Sequence, residues 1–316
     1  MLSYLKLVRP VNLLIIALTQ YLVLFCIIRP FLSRAFVGLQ MSQLDFALFV
    51  FSNVLLAAAG YAINDYFDTD VDEINKPGKN VLIKKVPRRH AYLMNIMLNT
   101  IAGLIGFYCA YKVGYIMLGF FYVVISLALY YYSLKYKRQY VTGNMVVAII
   151  AAYGVLSVWL FQFFALLSAA RSGDPYSFIN SEEARTDITY FVFAFAVFAF
   201  LVTLVREIIK DMEDAEGDTE CGCNTIPVKK GIPFAKKSVL WLGIFTMFLL
   251  AAAQYLLFAD YTALALYLCV VQALLIYLVV KVLRSGEKSE FHFLSIFAKI
   301  IMIAGILSTQ MLYTYF

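Results

Sequence analysis

The sequence predicts an all-α polytopic membrane protein in which nine transmembrane helices form a single bundle around a central cavity. Of its 316 residues, 63% are hydrophobic and 15% are charged, whereas an ordinary globular domain is about 45–50% apolar and about 25% charged. The mean hydropathy is +0.80. One soluble core could not bury this much apolar surface, and five cysteines are too few for a disulfide scaffold. The composition therefore excludes a water-soluble enzyme and a disordered chain.

A helix needs about 20 mostly apolar residues to cross the hydrocarbon layer of a bilayer, and nine stretches meet this requirement. Each is apolar on all faces, as expected for a buried or lipid-facing span, and none shows the alternation of a transmembrane strand. The third and fourth spans nearly touch, so we expect a tight hairpin around Lys112 and Gly114. All nine belong to one predicted domain, residues 1–316. In chain order the predicted spans are 11–31, 45–63, 91–111, 113–134, 142–168, 188–205, 238–258, 261–281 and 291–315.

Lysine and arginine are concentrated on one side of the predicted membrane. With a cytosolic N-terminus, 20 of the 26 Lys and Arg residues fall on the cytosolic side and five on the other side. This positive-inside bias predicts an integral protein of the cell inner membrane whose N-terminus is cytosolic and whose C-terminus, after an odd number of spans, is outside. The topology accounts for the net charge of +6. We therefore expect a lipid bilayer around the protein and no nucleic-acid partner.

Twelve of the 20 acidic residues fall in two short segments at the cytosolic ends of spans two and six. The first acidic segment is Asn64–Glu73 and the second is Glu207–Glu220, within predicted cytosolic motif loops 64–91 and 206–237. Each contains D-x-x-D-x-x-x-D, and the two triplets are offset by the same 146 residues at all three positions. Because positions i, i+3 and i+7 share one helical face, we predict an internal duplication whose two segments face each other across a pocket. The triplets are Asp65, Asp68 and Asp72, and Asp211, Asp214 and Asp218.

Six aligned carboxylates at a membrane boundary repel each other unless water dilutes them, protons neutralise them or cations bind them. Mg²⁺ prefers a few carboxylates together with the phosphate oxygens of a substrate. Neither segment has the glycine and the terminal glutamate of an EF-hand in register. The two segments therefore predict a diphosphate bridged to the protein by Mg²⁺, and the alternative is that they are solvated surface acids.

The two segments resemble the motifs of the UbiA superfamily of intramembrane prenyltransferases. Those motifs are N-D-x-x-D-x-x-x-D after the second span and D-x-x-x-D after the sixth, within a nine-helix bundle. The resemblance covers nearly the whole chain, although Tyr132 competes with Tyr131 for one aromatic position. The other matching positions are Arg9-Pro10 before span one, Tyr131 to Lys135 after span four, Gly143-Asn144 at the start of span five, and Thr225–Val228 with Gly231 before span seven.

The resemblance implies a Mg²⁺-dependent enzyme that moves an isoprenyl group from an allylic diphosphate to a lipophilic acceptor. It implies that Asp65 and Asp211 complete the metal site directly or through water, and that Asp65 is the nearest base for an alcohol acceptor. The implied metal ligands are Asn64, Asp68, Asp72, Asp214 and Asp218. The implied substrate-binding residues are Asn64, Arg9, Lys79, Tyr131, Lys135 and Lys210.

Within the superfamily the chain is most similar to the branch that transfers a geranylgeranyl group to geranylgeranylglyceryl phosphate. That branch has arginine where this chain has Lys76 and Lys79, and lysine holds phosphate only as a point charge. Two other functions are left open by the sequence. One is an aromatic prenyltransferase of quinone biosynthesis, with dihydroxynaphthoate or hydroxybenzoate as the acceptor. The other is a divalent-cation transporter, although transporter sites generally lie near the bilayer midplane. The sequence does not indicate the oligomeric state.

Overall fold

The computed structural model describes residues 7–75 and 87–315, except for the side chains of residues 70–72 and 75. Over these residues the chain contains helices and turns without a strand, and nine of the helices are long and apolar enough to cross a membrane. The predicted all-α polytopic class is confirmed. The nine helices are α1 (Pro10–Arg34), α2 (Gln43–Asn75), α3 (Arg88–Lys112), α4 (Ile116–Leu134), α5 (Thr142–Arg171), α6 (Glu182–Glu213), α7 (Ile232–Leu256), α8 (Thr262–Arg284) and α9 (Lys288–Tyr313).

The helices agree with the predicted spans, but two of them extend much further. Helix α2 continues to Asn75 and α6 to Glu213, whereas the predicted spans end at residues 63 and 205. At about 1.5 Å per residue, α2 is about 50 Å long, which exceeds the thickness of about 30 Å of the hydrocarbon core. The first acidic segment therefore begins on a helical extension of the span and not in the predicted loop.

Helix α1 changes its winding in the middle. Residues Val23–Ile28 are π-helical and lead into Arg29–Arg34, whose second residue is Pro30. In a regular α-helix, proline lacks an N–H donor and its ring clashes with the carbonyl four residues earlier. The wider turn ahead of Pro30 lets α1 continue as a single apolar span.

The chain divides into two compact units. The first comprises Met1–Lys135 and Leu156–Thr189, and the second comprises Tyr136–Val155 and Tyr190–Phe316. Helices α5 and α6 each contribute residues to both units. The first acidic segment belongs to the first unit and the second acidic segment to the second unit, so each segment is described with the unit that holds it.

Close helix contacts at small residues hold the first unit together. A side chain at Gly60 of α2 would come within 3.0 Å of Leu129 of α4, and one at Gly106 of α3 would overlap the ring of Tyr122. The buried Tyr122 hydroxyl pairs with Ser52 Oγ at 2.6 Å. Small residues let helix backbones approach closely inside a membrane. This packing fixes α2, which carries the first acidic segment.

The predicted hairpin between spans three and four is confirmed. Helix α3 ends at Lys112 and α4 begins at Ile116. Between them Gly114 has φ +79°, and a Cβ there would lie 2.2 Å from Ser168 Oγ. Only glycine combines this left-handed backbone with so close an approach, so the turn depends on it.

The second unit contains α7, α8 and α9, packed in sequence. Gly243 of α7 lies against Val279 of α8, and Gly305 of α9 lies against Phe198 of α6. Two short helices, Ala215–Glu220 and Ile226–Lys230, connect α6 to α7. The second acidic segment thus comprises the C-terminal end of α6 and the first of these two short helices.

Large apolar side chains are exposed along the spans. Leu104, Trp241, Phe248 and Leu266 each expose more than 60% of their surface. A protein in water rarely exposes extended apolar patches, whereas lipid solvates them. The chain is therefore an integral membrane protein, while the cytosolic location of its N-terminus stays a prediction.

Candidate active site: two acidic segments

The first acidic segment lies on the C-terminal part of α2. Asn64, Asp65 and Asp68 are on one continuous helix, so Asp65 and Asp68 share a face as predicted. The backbone of Asp72 continues the same helix, but its side chain lies outside the described residues, and so does Lys79.

An ion pair holds the first aspartate of this segment. Arg9 Nη2 donates to Asp65 Oδ1 at 2.6 Å, and the guanidinium lies over the ring of Tyr61 at 5.0 Å. Arg9 has φ 51° and ψ 65° immediately before the helix that starts at Pro10. A left-handed conformation costs a non-glycine residue about 1–3 kcal/mol, which is offset where the residue is held by its contacts. The structure thus brings the predicted Arg9 to the first acidic segment.

The central aspartate of this segment is buried beside an asparagine. Asn64 Nδ2 donates to Asp68 Oδ2 at 2.5 Å, and the two residues are 7% and 5% exposed. The side-chain oxygen of the same amide, Asn64 Oδ1, is buried and has no hydrogen-bond partner among the described residues. A buried polar atom without a partner costs about 1–3 kcal/mol. An oxygen of this kind next to a carboxylate suits a hard cation.

Aromatic packing anchors the first acidic segment to α4. The ring of Phe67 meets that of Tyr130 edge to face, with centroids 5.8 Å apart. Near the end of α4, Tyr131 is 47% exposed whereas Tyr132 is 9% exposed. Lys135 caps the C-terminal end of this helix and is exposed. The structure therefore places the predicted Tyr131 and Lys135 on α4, and it buries the competing Tyr132.

The second acidic segment does not follow one continuous helix. Helix α6 ends at Glu213, and Asp214 precedes the short helix Ala215–Glu220 with φ −94° and ψ 3°. The prediction of one unbroken helix through Asp211, Asp214 and Asp218 is therefore wrong, because the chain bends at Asp214, while their shared face stays a prediction. The bend is shallow, since Asp214 N still donates to Lys210 O at 2.9 Å.

An asparagine that the sequence analysis did not assign to the site holds the first aspartate of this segment. Asn144 Nδ2, near the start of α5, donates to Asp211 Oδ2 at 2.8 Å. The preceding Gly143 allows a close approach, since a Cβ there would lie 2.8 Å from Tyr136 O. The matching Gly143-Asn144 pair was the signal that could have identified this contact.

The other two aspartates of this segment retain oxygens that suit a cation. Asp214 Oδ1 is buried without a hydrogen-bond partner. Asp218 is 7% exposed, and Thr225 Oγ1 donates to its Oδ2 at 3.2 Å. Burial raises the pKa of Asp218 to about 6, and the positive charge of Lys137 acts in the opposite direction. The buried carboxylate oxygens of Asp214 and Asp218 are thus of the kind that a hard cation binds.

Glu213, in the second acidic segment, is hydrogen-bonded to two residues of α9. Its Oε1 lies 2.7 Å from His292 Nδ1, and its Oε2 accepts from Ser295 Oγ at 3.2 Å. The sequence contains no signal for this contact, because the partners are 79 and 82 residues away. Glu213 therefore anchors the end of α6, and its neighbour Asp214 is left for other ligands.

Mg²⁺ takes oxygen ligands from carboxylates and amide carbonyls. Within the described residues of the two acidic segments, the buried side-chain oxygens without a hydrogen-bond partner are Asn64 Oδ1 and Asp214 Oδ1. Among the described residues, no three Asp, Glu, His or Cys side chains converge on one point. The predicted metal site and the predicted pocket between the two segments stay predictions.

The sequence pattern of the UbiA prenyltransferase family matches residues 31–303. The chain is 29% identical over 267 residues to a digeranylgeranylglyceryl phosphate synthase of Methanothermobacter thermautotrophicus, an alignment that covers 84% of this chain and 75% of that protein. The match includes both acidic segments. It agrees with the family predicted from the motifs.

Solved structures share the fold. A structure described as giving insights into the biosynthesis of digeranylgeranylglyceryl phosphate synthase in membranes has a TM-score of 0.61 and 22% identity, and covers 97% of this chain and 96% of its own. A UbiA homologue from Archaeoglobus fulgidus bound to DMAPP and Mg²⁺ has a TM-score of 0.50 and 18% identity, covering 98% of this chain and 99% of its own. At these identities the likeness supports the fold alone.

Proposed function

Since the chain belongs to the UbiA prenyltransferase family and is therefore a prenyltransferase, we propose that it transfers a geranylgeranyl group from geranylgeranyl diphosphate to geranylgeranylglyceryl phosphate with Mg²⁺. One observation carries the metal-dependent part. Among the described residues, each acidic segment has a buried side-chain oxygen without a hydrogen-bond partner: Oδ1 of Asn64, which is bonded to the central Asp68, and Oδ1 of the central Asp214 itself. The acceptor follows from the likeness to a named digeranylgeranylglyceryl phosphate synthase.

In this proposal Asn64, Asp68 and Asp72 of the first segment and Asp214 and Asp218 of the second hold Mg²⁺. When bound, the metal supplies positive charge that stabilises the leaving diphosphate. Burial of Asp68 and Asp218 keeps water away from their carboxylates. Asp65 and Asp211 are each engaged by a neighbouring side chain, so they complete the coordination through water.

Cationic side chains near the segments would bind the diphosphate. Lys210 lies one residue before Asp211 on α6, and Arg9 is already placed beside Asp65. An ammonium or guanidinium group donates charge-assisted hydrogen bonds to phosphate oxygens. Tyr131, Lys135 and Lys79 complete the proposed substrate-binding set.

The transfer breaks the bond between the first carbon of the donor and the diphosphate oxygen, and the diphosphate leaves with the electron pair. The acceptor hydroxyl oxygen forms the new bond to that carbon and releases its proton. Asp65 is the proposed base, and Arg9 orients its carboxylate. The diphosphate would lie at the cytosolic boundary, with the isoprenoid chain between helices in the membrane.

An acceptor panel tests the proposal. Purified protein in detergent is given labelled geranylgeranyl diphosphate, Mg²⁺ and one of three acceptors: geranylgeranylglyceryl phosphate, dihydroxynaphthoate or hydroxybenzoate. We expect transfer only to the glyceryl phosphate, and its loss when Mg²⁺ is chelated. Transfer to an aromatic acceptor instead would refute the proposed acceptor, and transfer that persists without divalent cations would refute the metal dependence.

A further inference from the structure

A row of hydrogen-bond donors lies on α6 on the membrane side of the second acidic segment. Thr203, Arg206 and Lys210 recur at intervals of three and four residues, so they lie on one face of the helix. Asp214 follows after four more residues. The row thus leads from the acidic segment into the span.

Two of these donors are buried and have no hydrogen-bond partner in the described part of the chain. They are the hydroxyl of Thr203 and Nε of Arg206, and Thr203 is only 3% exposed. A buried donor whose bond is not made costs about 1–3 kcal/mol, and more when it is charged. Two such donors one turn apart indicate a place for a ligand with several acceptor oxygens.

The contact between Arg206 and its neighbour leaves one edge of the guanidinium for that ligand. Nη1 of Arg206 donates to Glu207 Oε1, while Nε has no hydrogen-bond partner among the residues that the structure describes. The Nε edge of arginine binds two oxygens of a phosphate at once. The hydroxyl of Thr203 adds a donor from the preceding turn, so the set suits a tetrahedral phosphate.

We propose that Arg206 and Thr203 bind the phosphate of the acceptor lipid, an inference that rests on the proposed function. The donor diphosphate is the other phosphate in the reaction. Arg206 is eight residues, about 12 Å along the helix axis, from Asp214 and four residues, about 6 Å, from Lys210. A group held at Arg206 therefore lies about one turn further into the span than a diphosphate held by Asp214 and Lys210. The acceptor hydroxyl must reach the donor carbon at about 3–3.5 Å from the side away from the diphosphate. The acceptor phosphate then lies further along α6.

Lipid binding tests this subsite independently of catalysis. The full-length protein in detergent is titrated with geranylgeranylglyceryl phosphate and with geranylgeranylglycerol, which lacks the phosphate, in the absence of donor. We expect the wild type to prefer the phosphorylated lipid. Arg206→Met should weaken its binding by about 10- to 100-fold, and Thr203→Val by about 3- to 10-fold. Binding of the lipid without phosphate should not change.

Two further variants distinguish a specific loss of phosphate binding from a loss of folded protein. Arg206→Met removes the ion pair between Arg206 and the buried Glu207, which can destabilise the fold, whereas Arg206→Lys keeps the charge and lacks the Nε edge. Arg206→Lys should therefore also lose the preference. Arg284→Met, at an exposed arginine of α8 in the same unit, is the control and should bind both lipids as the wild type does.

Three results would overturn the inference. The first is a wild type that does not prefer the phosphorylated lipid. The second is a preference that survives in both Thr203→Val and Arg206→Lys. The third is that these variants lose binding of geranylgeranyl diphosphate as much as they lose binding of the phosphorylated lipid, which would assign the subsite to the donor. Failure of the proposed function looks different. A protein that binds the phosphorylated lipid through Arg206 but transfers nothing to it would refute the function and retain the subsite.

Discussion

The two acidic segments repeat one spacing of carboxylates, but different contacts hold them. The first aspartate is paired with the cation Arg9 in the first segment, whereas the equivalent Asp211 accepts from the neutral amide of Asn144. The residue before the central aspartate is Phe67 in the first segment, packed on an aromatic ring. In the second it is Glu213, bonded to α9. The spacing of the carboxylates is repeated in the two segments, whereas the residues that contact them are different.

This difference has a geometric consequence. The first segment continues a regular helix, so helix periodicity alone sets the directions of Asp65 and Asp68. The second segment bends at Asp214, so the positions of Asp214 and Asp218 depend on contacts with neighbouring helices. The second segment should therefore depend more on the contacts of Glu213 than the first segment depends on the aromatic contact of Phe67.

The largest expected effect tests whether both segments serve one reaction. Asp68→Asn and Asp214→Asn each remove one charge from a proposed metal site, and each should lower the transfer rate by at least about 10²- to 10³-fold. The measurement is the initial rate of prenyl transfer at saturating Mg²⁺. Asp260→Asn, at an exposed aspartate between α7 and α8, should leave the rate unchanged. A nearly active variant of either central aspartate would show that its segment is dispensable.

The contacts that hold Asp65 and Asp211, the first aspartates of the two segments, should differ in their effect on activity. Arg9→Met removes a charged partner from Asp65, and Asn144→Leu removes a neutral one from Asp211. Residues that orient metal ligands typically contribute about 10- to 100-fold in metal affinity or activity, and charge-assisted hydrogen bonds are the stronger kind. We expect the larger loss of kcat/KM in Arg9→Met. Arg34→Met is the matched arginine control and should leave kcat/KM unchanged. A larger loss of kcat/KM in Asn144→Leu than in Arg9→Met would contradict this prediction.

The anchor of the second segment should act on metal affinity. His292→Asn combined with Ser295→Ala releases both oxygens of Glu213, which loosens the bend before Asp214. We expect the Mg²⁺ concentration for half-maximal rate to rise about 10-fold, with kcat nearly restored at saturating Mg²⁺. Ser289→Ala, on an exposed turn of the same helix, is the control. A fall in kcat without a change in the Mg²⁺ requirement would contradict the role of this anchor.

The smallest expected effect concerns the anchor of the first segment. Phe67→Leu removes the edge-to-face contact with Tyr130, and such contacts contribute about 0.5–1.5 kcal/mol beyond their buried area. We expect a small decrease in the free energy of unfolding in detergent and no change in the Mg²⁺ requirement, because the helix itself holds Asp68 in place. An increased Mg²⁺ requirement would show that both segments depend equally on their anchors.

Much of the fold and part of the site could be predicted from the sequence. The apolar spans, the hairpin at Gly114 and the family follow from local patterns, and the structure and the comparisons confirm them. The bend at Asp214 could not be predicted, because the i, i+3, i+7 rule assumes an unbroken helix. The contact between Glu213 and His292 was missed because its residues are 79 positions apart.

The sequence by itself determined which segments enter the membrane and which oxygens are available to bind a cation. A bilayer selects for long apolar stretches, and carboxylates are visible as residue types wherever they occur. Only the tertiary structure decided which of those oxygens are left without a partner. Asn64 and Asp214 keep such an oxygen while Glu213 does not, because hydrogen-bond partners are supplied by helices that are distant in the chain and meet only when it folds.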